Sequence, residues 1–141
     1  MKGNDRYRTT FGSSMGIAWD NSNAYFLDTR GNDVYDCENK GFCIAQADHN
    51  SFAFFNDKQG RDTYHMNVDR PVASNTYNGG KSVAIFLDEG GRNDRYYGKE
   101  VNDIVDDSNP SFLFLDLSQD LRGFVRSNAL FSDKPDDPTD L

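Results

Sequence analysis

Phe52-Ala53-Phe54-Phe55-Asn56-Asp57-Lys58-Gln59-Gly60-Arg61-Asp62-Thr63-Tyr64 decides the fold. An aromatic run suits a pleated, half-buried strand. An acid closes that run, and a glycine turn then leads into a second strand through the tyrosine. The same order recurs along the chain. Ala24-Tyr25-Phe26-Leu27-Asp28 precedes Gly31-Asn32-Asp33-Val34-Tyr35, and Val83-Ala84-Ile85-Phe86-Leu87-Asp88 precedes Gly91-Arg92-Asn93-Asp94-Arg95-Tyr96. Gly3-Asn4-Asp5-Arg6-Tyr7 carries the turn alone, and Phe112-Leu113-Phe114-Leu115-Asp116 the strand alone. Tyr7, Tyr35, Tyr64 and Tyr96 are spaced by 28, 29 and 32 residues, while Asp28, Asp57, Asp88 and Asp116 step by 29, 31 and 28. Two markers in phase over four copies make a repeat, in which Phe26, Phe54, Phe86 and Phe114 are expected at equivalent, mostly buried positions.

Each unit opens on a short small-residue strand, Gly16-Ile17-Ala18, Cys43-Ile44-Ala45 or Pro71-Val72-Ala73. A polar turn follows, as in Asp20-Asn21-Ser22-Asn23 or Asn78-Gly79-Gly80-Lys81. Three short strands and three turns make one coil of a solenoid, too small to bury a core without its neighbours. The fold expected is all-β: a short, parallel β-helix-like solenoid of about four coils over residues 1–120, with units near 3–12, 13–40, 41–69, 70–102 and 103–120. The alternative pairs each aromatic strand with the tyrosine strand after it, as antiparallel hairpins of a meander or propeller fragment. Residues 121–131 read as an irregular cap and residues 132–141 as an acidic tail. The chain begins in mid-unit. Its first coil is therefore expected either to be covered by another molecule or to be the cut end of a longer protein, and the second is favoured.

Composition points the same way. The 141 residues are the length of one domain. Eleven Phe and seven Tyr stand against eight Leu, and twenty Asp and fourteen Asn against three Glu. Asp and Asn bond to nearby backbone and favour turns over helix. A net charge of −8 excludes a nucleic-acid surface. No apolar run approaches the roughly 18 residues of a membrane helix, so no membrane insertion is expected. The N-terminal MKGNDRYRTT has no hydrophobic signal core.

The Asp-x-x-Gly-[Asn/Arg]-Asp-x-Tyr string resembles the GNDxY and GGDDxY repeats of uncharacterised bacterial surface and secreted proteins. It is more distantly similar to the calcium-binding repeats-in-toxin nonapeptide. It departs from that nonapeptide in recurring once per 29 residues or so, and only the copy after Asp88 has a double glycine, Gly90-Gly91. A calcium roll of the toxin geometry is therefore not implied. The first resemblance implies an extracytoplasmic or secreted, non-enzymatic structural or adhesive module. Its partners would be neighbouring repeats or protein subunits.

Stacked in register, equivalent residues lie about 4.8 Å apart. Like charges at that spacing repel by about 0.9 kcal/mol in water and about 3 at an effective dielectric near 20. Something must relieve the ladders of Asp28, Asp57, Asp88 and Asp116 and of Asp33, Asp62 and Asp94. One reading has Ca²⁺ bound by Asp28, Asp33, Asp57, Asp62, Asp88 and Asp94, since oxygen-rich turns suit that ion. The other has each Asp capping its own turn, with Arg6, Arg30, Arg61, Arg92 and Arg95 as counter-charge.

Tyr7, Tyr35, Tyr64 and Tyr96 would form an aromatic ladder, packed inside or along one face. A sugar-binding platform helped by Trp19, Tyr77 and Tyr97 is the functional alternative, and polysaccharide its ligand. Classical catalytic signals are mostly absent, and the clustered Asp residues that a polysaccharide-cleaving β-helix would use form no constellation distinct from turn chemistry. His49 and His65 have no metal-ligand spacing and read as turn or solvated residues. Gly80-Lys81-Ser82 lacks the upstream glycine of a phosphate loop, where Asn75 stands. Cys37 and Cys43 are open between a loop disulfide and two buried thiols. Three functions remain: a structural or adhesive module with calcium as stabiliser, a carbohydrate-binding or carbohydrate-cleaving β-helix, and a scaffold segment docking end to end.

Overall fold

The computed structural model describes residues 2–10, 15–37, 43–65, 72–73, 81–96, 99–101, 104–106 and 112–117. The expected cap, the acidic tail, the turn at residues 78–80, Tyr77 and Tyr97 lie outside them. The described residues are all-β, with no helix. In chain order the strands are β1 (Arg6–Thr9), β2 (Asn23–Leu27), β3 (Val34–Cys37), β4 (Gln46–Ala47), β5 (Phe52–Asp57) and β6 (Thr63–His65). They continue as β7 (Val72–Ala73), β8 (Val83–Glu89), β9 (Asp94–Tyr96), β10 (Lys99–Val101), β11 (Ile104–Asp106) and β12 (Phe112–Leu117).

Two sheets dominate. The tyrosine strands β1, β3, β6 and β9 run parallel in one, with β10 added antiparallel beside β9. The aromatic strands β2, β5, β8 and β12 run parallel in the other, with β11 antiparallel beside β12. Successive copies thus pair with each other. Among the described residues, no aromatic strand forms the hairpin with its own tyrosine strand that the alternative reading required. A third, two-stranded sheet joins β4 and β7 in parallel, and Ala18 bridges Ala47 beside it.

Register corrects the sequence alignment in two places. Phe26, Phe55, Phe86 and Phe114 share one row, so the second copy contributes Phe55 and not Phe54. Side chains alternate across a strand, which sends Phe54 to the outer face beside Tyr25 and Ile85. The small-residue strand of that copy is Gln46–Ala47, two residues beyond the expected Cys43–Ala45, and Ala45 itself turns at φ 46°.

The core lies between the two large sheets. The rings of Phe26, Phe55, Phe86 and Phe114 stack at 5.1, 4.9 and 4.8 Å between centroids. Tyr7, Tyr35, Tyr64 and Tyr96 stack opposite them at 5.2, 4.9 and 4.7 Å. Each tyrosine meets the facing phenylalanine edge to face, as Tyr35 does Phe55 at 5.1 Å and 80°. Offset stacks and edge-to-face contacts are the favoured aromatic geometries. The corner turns repeat as faithfully. Asp20 and Asn21 adopt φ 54° and 57°, and His49 and Asn50 adopt 56° and 60°, a left-handed region that Asn, Asp and His tolerate best.

Candidate metal centre

Strand period explains how the acids meet. Asp57 follows Phe55 by two residues and Asp62 precedes Tyr64 by two, so each shares the inward face of its strand. The turn between them carries the chain from one sheet to the other. The two acids therefore face each other at the corner. Asp28 and Asp33, and Asp88 and Asp94, take the same places in their copies. All six, with Asp116, are at most 1% exposed. Gly60 permits the close turn: a Cβ there would overlap the Gly31 carbonyl and lie 2.6 Å from both Asp62 carboxylate oxygens.

Three carboxylate triads result: Asp5, Asp28 and Asp33; Asp33, Asp57 and Asp62; and Asp62, Asp88 and Asp94. Within each, one oxygen per residue lies within 4.8 Å of the others. All six sequence-predicted ligands are brought together. Asp5 was missed, although its Gly3-Asn4-Asp5 string is the same motif and was the signal that could have found it. Asp116 pairs in register with Asp88 but enters no triad among the described residues.

The carboxylates are half-satisfied in a regular way. Asp33 Oδ1 accepts the Asp5 N–H at 2.6 Å, Asp62 Oδ1 accepts that of Asp33 at 2.6 Å, and Asp94 Oδ1 accepts that of Asp62 at 2.7 Å. These turn acids thus bond backbone of the preceding copy, where the capping reading had them close their own turns. Of the strand-end acids, Asp28 does cap its own turn, its Oδ1 accepting the Thr29 N–H at 2.6 Å. Tyrosine hydroxyls hold the same set, Tyr7 donating to Asp28 Oδ2 and Tyr35 to Asp57 Oδ2, both at 2.5 Å. Tyr96 donates to Asp88 Oδ2 at 3.0 Å, and the buried Tyr64 hydroxyl has no partner. The tyrosine ladder thus packs the core and orients the acids as well. Left over, buried and without a hydrogen bond, are Asp33 Oδ2, Asp57 Oδ1, Asp62 Oδ2 and Asp88 Oδ1.

Electrostatics follow from this crowding. Burial, with Asp33 and Asp28 adding to it against the Tyr35 hydrogen bond, pushes Asp57 up to about 7. Burial and the neighbouring Asp57 push Asp62 up to about 8. Burial and then Asp94, Asp62 and Asp116 raise Asp88 well above the carboxylate range. Burial also raises Asp33 and Asp94. Asp28 is the exception: burial raises it, but bonds from Tyr7, Thr29 and Arg30 outweigh that and bring it below its ordinary value. The turn arginines Arg6, Arg30, Arg61, Arg92 and Arg95 are exposed. Arg61 lowers Asp94, and Arg6 pairs with Asp36 at 2.6 Å.

Other expectations resolve more simply. Tyr35 and Tyr64 are 0% exposed and Tyr96 6%, so those rings offer no face to a sugar. Trp19 and Tyr25 are the exposed aromatics of the described residues. His49 sits in a corner turn, its Nδ1 at 2.7 Å from Asp20 Oδ1, and His65 is exposed. Cys37 and Cys43 are joined as a disulfide. Comparison with known protein families, curated proteins and solved structures finds no match to this chain.

Proposed function

We propose that this chain is a β-solenoid of about four coils serving as a non-enzymatic structural module of an extracytoplasmic protein, with Ca²⁺ in the corner triads as its stabiliser. One observation carries the reading. Four buried carboxylate oxygens, on Asp33, Asp57, Asp62 and Asp88, have no hydrogen-bond donor, and their carboxylates converge in triads. A buried charge must be paired, and leaving it alone is strongly destabilising. Calcium binds oxygen at 2.3–2.6 Å, so two oxygens on one ion can stand about 5 Å apart, whereas Mg²⁺ allows only about 4.2 Å. The Cys37–Cys43 disulfide supports an oxidising compartment, where such bonds persist.

A melt in millimolar Ca²⁺ against chelator tests this. At about 100 times the dissociation constant, binding adds roughly 2.7 kcal/mol per site. The melting temperature of the wild type is expected to rise with calcium and that of Asp62→Asn to rise much less. An equal response of the two proteins places the ion elsewhere. A melt indifferent to calcium favours a second reading, that the ladder holds protons, which the raised values of Asp57 and Asp62 support.

A further inference from the structure

We propose that the corner ladder binds a row of three divalent cations joined by shared carboxylates, a linear array in which every ion ties one copy of the repeat to the next. This rests on the calcium reading and goes beyond it in number, connectivity and consequence. Asp33 belongs to the first and second triads, and Asp62 to the second and third. Each spends one oxygen on a backbone N–H and keeps the other unpartnered. A carboxylate oxygen has two lone pairs, so the free oxygen of Asp62 serves the triads on both of its sides.

Charge sets the number of ions. The triads contain seven different aspartates, Asp5 half-buried and the other six buried, and three divalent ions leave that row with a single net negative charge. A single ion would leave five, in a place where unpaired charge is costly. Ions in adjacent triads would stand about one strand spacing apart, near 4.8 Å, with Asp33 or Asp62 between them to screen their repulsion. Each triad also draws on two copies: Asp5 joins Asp28 and Asp33, Asp33 joins Asp57 and Asp62, and Asp62 joins Asp88 and Asp94. Filling one triad therefore orders a shared aspartate for the next, and binding is cooperative along the row.

Equilibrium dialysis of the full chain against calcium, with metal analysis of the retained protein, counts the ions. The wild type retains three. Asp28→Asn and Asp88→Asn, each touching one triad, retain two, while Asp62→Asn, touching two, retains one. Far-UV circular dichroism checks that each variant is folded. Should Asp62→Asn fail to fold, the pair Asp28→Asn and Asp88→Asn decides alone, because independent losses of one ion from three need separate end sites. A wild type that retains one ion overturns the array and leaves the calcium reading standing. So does a set in which Asp62→Asn loses no more than Asp28→Asn. Retention of none overturns both.

Discussion

At the scale of single residues, the pairing of Tyr35 with Asp57 has the largest chemical consequence. The hydroxyl occupies Asp57 Oδ2 and leaves Oδ1 without a donor. A donor behind a metal ligand sets its orientation, and its loss typically costs 10–100-fold in affinity. Tyr35→Phe keeps the stacked ring and removes only the hydroxyl. It is expected to destabilise the chain by about 1–3 kcal/mol, as loss of a bond to a charged group does, and to weaken calcium binding by about tenfold or more. Melts and calcium titrations of the variant read both effects. Unchanged calcium affinity would mean that Asp57 is not a ligand.

Individual strands show how a single face decides burial. β5 turns Ala53, Phe55 and Asp57 inward and leaves Phe52 and Phe54 half-buried on the outside. Phe55 stacks between Phe26 and Phe86 and meets Tyr35 edge-on. Phe55→Ala would open a cavity in the middle of that stack and is expected to cost about 3–5 kcal/mol. Phe54→Ala, on the outer face, is expected to cost clearly less, since only part of its apolar area leaves contact. Chemical denaturation of both proteins gives the order. Equal losses would put the strand in a different register.

Across the whole molecule, the buried acids tie stability to pH. Asp57 and Asp62 titrate near 7 and 8 in the folded, calcium-free chain and near 3.8 when unfolded. Between those values the folded state holds the extra protons, so stability falls as pH rises. Asp28 works in the opposite sense, because its value is lowered, and its contribution is lost toward acid. The raised group outnumbers it. In chelator, the melting temperature is expected to fall from about pH 4 to about pH 8. Saturating calcium should remove that fall, because it binds the deprotonated acids and releases their protons. A calcium-free melting temperature that rises over this range would mean the acids are ionised without help.

The spacing of the copies and the all-β class were legible because they depend on local pattern, whereas the burial of the acids was not read, although the same pattern carries it. A period near 29 recurs in Gly31-Asn32-Asp33-Val34-Tyr35 and its copies, and a strand period of two carries Asp57 to the side of Phe55. Counting back two residues from Asp57 even selects Phe55 over Phe54, although the pattern of apolar residues alone does not separate adjacent phenylalanines. Between Ala45 and Ala47 the sequence offers no such marker, and pairing with Val72–Ala73 chose. Tertiary structure alone decided which oxygen of each acid is spent. Tyr35 reaches Asp57 across 22 residues, and the Asp33 N–H reaches Asp62 across 29. Contacts of that range exist only after the copies pair in register, and the unpartnered oxygens, and with them the candidate cation row, are what those contacts leave behind.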